Sequence, residues 1–168
     1  MTTLHLGVID ISYSDTSYQQ PRSPKARLGA AKRGKVTAAA PASNMKTTGE
    51  VAEILEAKYH IMETFFELHE TEIVGMLERS LEGALQNIAA GAPGTIGVNA
   101  EGESAIEATF KNWLSQRGMD QTATPGVPTL AALHGVSHRF AHPYARRASR
   151  PSFIDTGLYQ ANFKAWVD

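Results

Sequence analysis

The most regular pattern of apolar and polar positions runs from Thr48 to about Gly91. Most steps between its apolar residues are three or four, which is the period of an amphipathic helix rather than of a strand. The apolar positions are Val51, Ile54, Leu55, Ile61, Met62, Phe65, Phe66, Ile73, Met76, Leu77, Leu81, Ala84, Leu85 and Ile88. The pattern predicts a helical block that forms the hydrophobic centre of the protein.

The ends of this block carry ordinary helix signals. Thr47 or Thr48 is suited to cap its start, and Gly91 is suited to end it. Unbroken, the helix would be roughly 65 Å long at 1.5 Å per residue, which is unusual in a small domain. Two alternatives therefore stay open: one long rod, or two helices with a break near His69–Thr71 or at Gly75.

A second, shorter helix is predicted after a glycine-rich loop. Ser104 is placed to open it, with Glu107 three residues later as a capping box, and Arg117–Gly118 close it. Its apolar face is Ile106, Phe110, Trp113 and Leu114. A further turn and a half of helix is predicted at Thr129–Gly135.

Two segments near the ends of the sequence have the composition of strands. Leu4–Tyr13 is rich in β-branched and aromatic residues and alternates as a strand with both faces partly buried. Tyr159–Val167 is the second candidate. Because a strand needs a partner, we expect a small sheet made from the two termini. The predicted fold class is therefore α+β, in a single domain of residues 1–168.

The segment from Ser14 to Lys46 differs from the rest of the chain. It carries seven Lys or Arg against one Asp, three prolines and almost no large apolar side chains. Such a segment buries too little surface to offset its ordering entropy, so we expect an extended or disordered basic arm. Two interpretations stay open: a solvated linker, or an arm that wraps a neighbouring subunit or touches nucleic acid.

Charge is sorted along the chain although the net charge is only -1. Residues 48–120 hold thirteen acids against four bases, whereas residues 121–154 hold four Arg, three His and no acid. Sorted charge suggests pairing between subunits or segments, and solvated faces of different composition are the alternative. The basic candidates for such an interface are Lys25, Arg27, Lys32, Arg33, Lys35, Arg139, Arg146, Arg147 and Arg150.

Signals for an active site are weak. Cysteine is absent, no Gly-x-Ser-x-Gly element occurs, and no apolar run approaches the length of a membrane span. His134, His138 and His142 are spaced four apart, but no carboxylate lies within the run to orient them. We therefore expect no enzyme activity, no cofactor, no metal and no membrane partner.

The run from Arg150 to Trp166 resembles an element of tailed-phage head–tail joining and tail-completion proteins. In that family a Pro-x-Asp-Thr-Gly-x-Leu-like element precedes a strand, and the match here is Asp155-Thr156-Gly157-Leu158. A Val-Ala-x-x-Leu-Glu-x-x-Tyr-His helix and a Gly-Val-Pro-Thr loop are similar to small structural proteins of Mu-like prophages. Independently of the resemblance, Asp155 and Gly157 have the residue types of a tight turn, and both join the interface candidates.

The resemblance implies a structural component of a phage virion. Such a protein forms a ring, a hexamer or dodecamer, in the neck or at the tail end, where it joins tail to head. Its partners would be itself and other neck or tail proteins, with packaged DNA as a further candidate. It would be made in the host cytoplasm and reside in the virion. The alternative is an assembly factor, or a protein that contacts nucleic acid through its basic arm.

The sorted charge leads to a test of assembly. Changing Lys25, Lys32, Arg33 and Lys35 together to Glu should weaken oligomerisation, most strongly at low salt where screening is least. Exposed ion pairs are each worth about 0–1 kcal/mol, so no single change should suffice. Sedimentation velocity measures assembly, and circular dichroism checks folding. Normal assembly of this variant, and of a matching reversal in Arg139–Arg150, would refute electrostatic pairing.

Overall fold

The computed structural model describes residues 3–11, 47–91, 97–135, 148–155 and 157–168, and it has the predicted α+β class. The predicted arm, together with Arg139, Arg146 and Arg147, lies outside the described residues. The elements in chain order are β1 (Leu4–Val8), α1 (Thr48–Tyr59), α2 (Ile61–Ala89), α3 (Ala100–Ser115), a 3-10 turn (Met119–Gln121), α4 (Leu130–Leu133), α5 (Leu158–Ala161) and β2 (Phe163–Val167).

The helical block begins where the sequence predicts. The Thr47 hydroxyl accepts a hydrogen bond from the Glu50 amide at 3.2 Å, and the Thr47 amide donates to the Glu50 carboxylate at 3.1 Å. This is a complete capping box. Thr47 is therefore the confirmed start of the block.

The block is two helices, but the predicted position of the break was wrong. His69–Thr71 and Gly75 lie within the continuous α2, and the chain turns instead at His60, with φ 50° and ψ 49°. The carboxylate of Glu56, in α1, accepts hydrogen bonds from the Met62 amide at 2.9 Å and the Glu63 amide at 3.1 Å. A side chain of the first helix thus caps the second helix, and this satisfies amides that the break leaves unpaired.

Helix α3 packs along α2 and starts earlier than predicted. Ser104 lies inside the helix, because α3 begins at Ala100. Gly102 is buried against α2, where an added Cβ would lie 3.1 Å from the carbonyl oxygen of Met76. The sequence assigned this glycine to a loop, yet its role is to let two helices approach closely. The predicted apolar face is confirmed, with Ile106, Phe110 and Leu114 buried.

The two termini form the expected small sheet. β1 and β2 pair antiparallel, with Leu4 opposite Val167 and Val8 opposite Phe163. β1 is shorter than predicted. Tyr159 was also wrongly assigned to a strand, because a single helical turn, α5, precedes β2. The predicted turn before it is supported by Gly157, which has φ 78°.

A hydrogen-bonded clamp joins the end of β1 to the start of α1. Thr48 is buried, its amide donates to the carbonyl of Ile11 at 2.9 Å, and its hydroxyl donates to the carbonyl of Ile9 at 2.6 Å. The same hydroxyl accepts from the Ile11 amide at 2.7 Å. Ile11 and Thr48 are therefore held together although they lie 37 positions apart in the sequence.

Asp10 adds an ionised group to this clamp. Its carboxylate accepts a hydrogen bond from the Gly49 amide at 2.8 Å. Hydrogen bonds from the Thr47 side chain and from the Gly49 amide lower the pKa of Asp10 below its ordinary value. The carboxylate form therefore supports the clamp at neutral pH, and that support is lost as pH falls through the lowered pKa.

Among the described residues, no helix combines the length and apolar character needed to cross a membrane.

Thr48→Val should destabilise the fold by about 1–3 kcal/mol, because it keeps the side-chain shape but removes the two part-buried hydrogen bonds that the hydroxyl makes to the Ile9 carbonyl and the Ile11 amide. Urea unfolding, followed by circular dichroism, measures the loss. Thr48→Ser keeps the hydroxyl and is the matched control, so it should lose less. Equal stability of Thr48→Val and the unchanged protein would show that the clamp contributes nothing.

Candidate assembly surface

Helix α2 continues beyond the helix that packs against it. The first turn of α3 meets α2 at Ser80, whose hydroxyl donates to the carbonyl of Val98 at 2.9 Å. Ser80 is the last buried residue of α2 within the described chain. Nine more residues follow, a length of about 14 Å at 1.5 Å per residue. This end of α2 therefore projects past the core.

The projecting end carries an apolar stripe. Leu81, Leu85 and Ile88 are 47%, 57% and 49% exposed. Their spacing of four and three places all three on one side of the helix. We call these three residues the α2 stripe. Sequence periodicity assigned Leu81, Leu85 and Ile88 to the core, whereas the structure leaves about half of each side chain exposed.

The α2 stripe is bordered by negative charge. The exposed glutamates of α2 that form no ion pair with a described residue are Glu67, Glu70, Glu72, Glu78 and Glu82. By contrast, Glu107 of α3 lies 3.0 Å from Lys164 and 3.7 Å from Lys111. The acidic face of α2 is therefore not neutralised within the described part of one subunit.

A second exposed apolar patch lies on α4. Leu130 is 73% exposed and Leu133 is 45% exposed, whereas Ala132 between them is buried. The Thr129 hydroxyl caps this turn by accepting from the Ala132 amide, and the Thr129 amide donates to Ser152 at 3.1 Å. The turn is thus held by the core while two leucines face outward. We call Leu130 and Leu133 the α4 patch.

The α4 patch and the projecting end lie at opposite ends of α2. A Cβ added at Gly126, just before α4, would lie 3.7 Å from the Tyr59 ring, and Phe153 packs on the same ring with centroids 4.9 Å apart. Tyr59 is the last residue of α1 and lies two positions before the start of α2. From Ile61 to Ile88 the helix rises about 40 Å. The two apolar surfaces are therefore separated by roughly the length of α2.

The described interface candidates lie near α4 rather than on the acidic face. The Arg150 amide donates to the carbonyl of Ala132 at 3.0 Å, and its guanidinium lies 3.3 Å from the carboxylate of Asp155 and donates to the carbonyl of Ile154. Gly157 follows at the start of α5. Pairing of the basic segments with the acidic helix stays a prediction, since the other basic candidates lie outside the described residues.

A shallow depression of about 270 Å³ lies between β1 and α1. Glu56 and Met62 are part of its lining, and the Glu56 carboxylate already caps α2. The buried hydroxyl of Tyr159 has no hydrogen-bond partner among the described residues, and burial, with a smaller effect of Glu56, raises the pKa of this phenol. The Glu56 carboxylate thus has a structural role at the start of α2, and burial favours the neutral form of the Tyr159 phenol.

The histidine run is only partly described. His134 is exposed at the end of α4, and His138 and His142 lie outside the described residues. In the described ranges, no group of three or more His, Asp or Glu is placed to hold a metal ion. The expectation of a protein without metal stays a prediction.

Comparison of the chain with protein-family models, with curated proteins and with solved structures finds no match.

Leu85→Gln with Ile88→Gln should leave the free energy of unfolding of the subunit nearly unchanged, because both side chains project beyond the core. Phe110→Ala is the contrasting variant, and it should cost about 3–5 kcal/mol because it empties a fully buried site. Chemical unfolding at low protein concentration measures both. A large loss in the double variant would show that the stripe packs within its own subunit.

Proposed function

We propose that this protein is a ring-forming structural component of a tailed-phage virion, at the neck or the tail end. The observation that carries the proposal is the α2 stripe on a helix end that projects past its packing partner. Apolar residues clustered on a soluble subunit mark a protein–protein interface more often than chance exposure. A stable subunit with an uncovered helix end is suited to assembly with other copies or with neighbouring proteins.

The phage assignment rests on the resemblance in the run from Arg150 to Trp166. The described geometry of that run is compatible with it: Gly157 turns the chain, α5 follows, and β2 completes the sheet with β1. In the family that the run resembles, this element likewise precedes a strand. The sheet thus anchors the segment that resembles the phage family in the folded core.

An assembly factor that contacts nucleic acid is the second candidate. The observation in its favour is the clamp of Ile11 to Thr48, because the described residues that flank the basic segment are hydrogen-bonded to each other. The sequence between them holds seven Lys or Arg. Binding of this kind depends on phosphate contacts and weakens steeply with salt.

The test combines assembly state with the composition of particles. Sedimentation velocity of the purified chain should show a closed oligomer, a hexamer or dodecamer, and Leu85→Gln with Ile88→Gln should sediment as a monomer. Leu68→Gln is the matched control, because Leu68 is 60% exposed on a different face of α2, so it should assemble normally.

Mass spectrometry of purified phage particles should find the chain at a fixed copy number. A protein that stays monomeric at every concentration and is absent from particles contradicts the proposal. A protein absent from particles that shifts DNA in a salt-dependent manner supports the assembly factor instead.

A further inference from the structure

We propose that the side of β1 that faces away from β2 binds an extended peptide of a partner protein, which adds to the sheet as a third strand. A lysine or arginine of that peptide lies over the depression between β1 and α1. We call this side the outer edge of β1. The site is separate from the α2 stripe and does not depend on ring assembly.

The hydrogen bonds at the two ends of the sheet show which residues of β1 face β2. Thr3 and Asp168 exchange both backbone hydrogen bonds, at 2.9 and 3.2 Å, and the Ile9 amide donates to the carbonyl of Asn162 at 2.9 Å. Hydrogen-bonded pairs alternate with unbonded pairs along an antiparallel ladder. The odd-numbered residues of β1 therefore bond to β2.

The even-numbered residues of β1 present their backbone groups to the outer edge. These residues are Leu4, Leu6 and Val8. None of their amides or carbonyls forms a hydrogen bond with another residue in the described ranges. A row of unpaired backbone groups on an edge strand is the template on which an extended peptide adds by main-chain hydrogen bonds.

Neighbouring elements bond to other parts of the sheet. On the far side of β2, the Val167 amide donates to the carboxylate of Glu103, in α3, at 3.0 Å. The Thr48 hydroxyl bonds to Ile9 and Ile11, which are odd-numbered and belong to the side that faces β2. Both contacts therefore leave the outer edge of β1 unused.

The depression of about 270 Å³ lies beside this edge. Gly7 and Val8 of β1 form one part of its lining, and Gly49 and Ala52 of α1 form another. Successive side chains of an added strand point to opposite faces of the sheet, so every second one would point toward α1. The small residues of the lining leave space for a long side chain at that position.

The charge of the depression favours a basic side chain. Glu53 is exposed, lines the depression and forms no ion pair with a described residue. Glu56 also lines it, and Asp10 lies at its Gly49 end, where the Asp10 carboxylate accepts a hydrogen bond from the Gly49 amide at 2.8 Å. No Lys or Arg is among the described residues that line it.

This charge distinguishes between possible occupants. A lysine or arginine on the added strand would complement the three carboxylates. A second copy of β1 supplies none, because Leu4–Val8 contains no Lys or Arg. The observations therefore favour a basic peptide of a partner protein over pairing of two β1 strands.

Amide hydrogen exchange, measured by NMR on the full chain, tests the site. The probe is the synthetic peptide acetyl-Thr-Val-Thr-Lys-Thr-Val-Thr-amide, whose β-branched residues favour an extended conformation. At saturation it should slow exchange of the Leu4, Leu6 and Val8 amides by about tenfold or more. The His5 and Gly7 amides face β2 and are internal controls, so their exchange should change little.

Two further comparisons separate charge from backbone pairing. Glu53→Gln should weaken peptide binding by about two- to fivefold, whereas Glu70→Gln, on α2 and outside the depression, is the matched control and should have no effect. N-methylation of one alternate set of peptide amides should abolish the protection, and N-methylation of the other set should not, because only one set faces β1.

The contrary outcomes are distinct. No protection of the three amides by the lysine peptide overturns the inference, and so does equal binding of a peptide with glutamate in place of the lysine. Protection of these amides in the free monomer overturns it in favour of a segment of the same chain. Protection without peptide that rises with protein concentration overturns it in favour of a second copy.

Discussion

Three phenylalanine rings hold the described fold together. Phe110 of α3 stacks on Phe163 of β2 with centroids 3.8 Å apart, and the ring of Phe65, in α2, meets Phe110 edge-on at 5.1 Å. All three are fully buried. The remaining elements attach to this centre in sequence: β2 carries β1, and the continuation of β1 holds α1 through Thr48. The aromatic contact therefore fixes the sheet as well as the helices, although its residues are far apart in the chain.

Local signals were enough to predict most elements of this fold, but not the short helix α5 or the junctions between elements. Thr47 with Glu50 is a sequence-local cap, and Thr47 was one of the two residues predicted to start the helix. The break at His60 carries no strong local signal, because its stabilising group is the Glu56 carboxylate, which has to fold back across the turn. At Gly102 the local signal is misleading. Its residue type suggests a loop, but its lack of a side chain lets α3 pack closely against α2. In both cases the deciding contact is visible only once two elements are placed together.

The candidate assembly surface could likewise be predicted only in part from the sequence. Apolar periodicity gave Leu81 and Leu85 the same status as Phe65, because a helical period reports which side is apolar and not what covers it. Whether Leu81 and Leu85 are covered depends on how far α2 extends past the place where α3 packs on it. Sequence periodicity carries no information on that distance. Leu130 and Leu133 were predicted to be helical, but only the buried Ala132 between them shows which side of that turn faces outward. The candidate surface therefore exists because α2 extends past the helix that packs against it, and no sequence motif marks it.

The size of these patches bears on how an assembly built from them would be stabilised. Completing the burial of a half-exposed leucine or isoleucine is worth about half of the 1.5–3 kcal/mol for full burial. Exposed ion pairs add about 0–1 kcal/mol each, whereas association costs an estimated 4–15 kcal/mol. A single contact through the stripe would thus hold two copies weakly. In a closed ring each subunit makes two such contacts, and the last contact forms within one assembly, so closure adds one more contact without the full entropic cost of association. Open chains of subunits would then be minor species, and the complete ring would be the stable product.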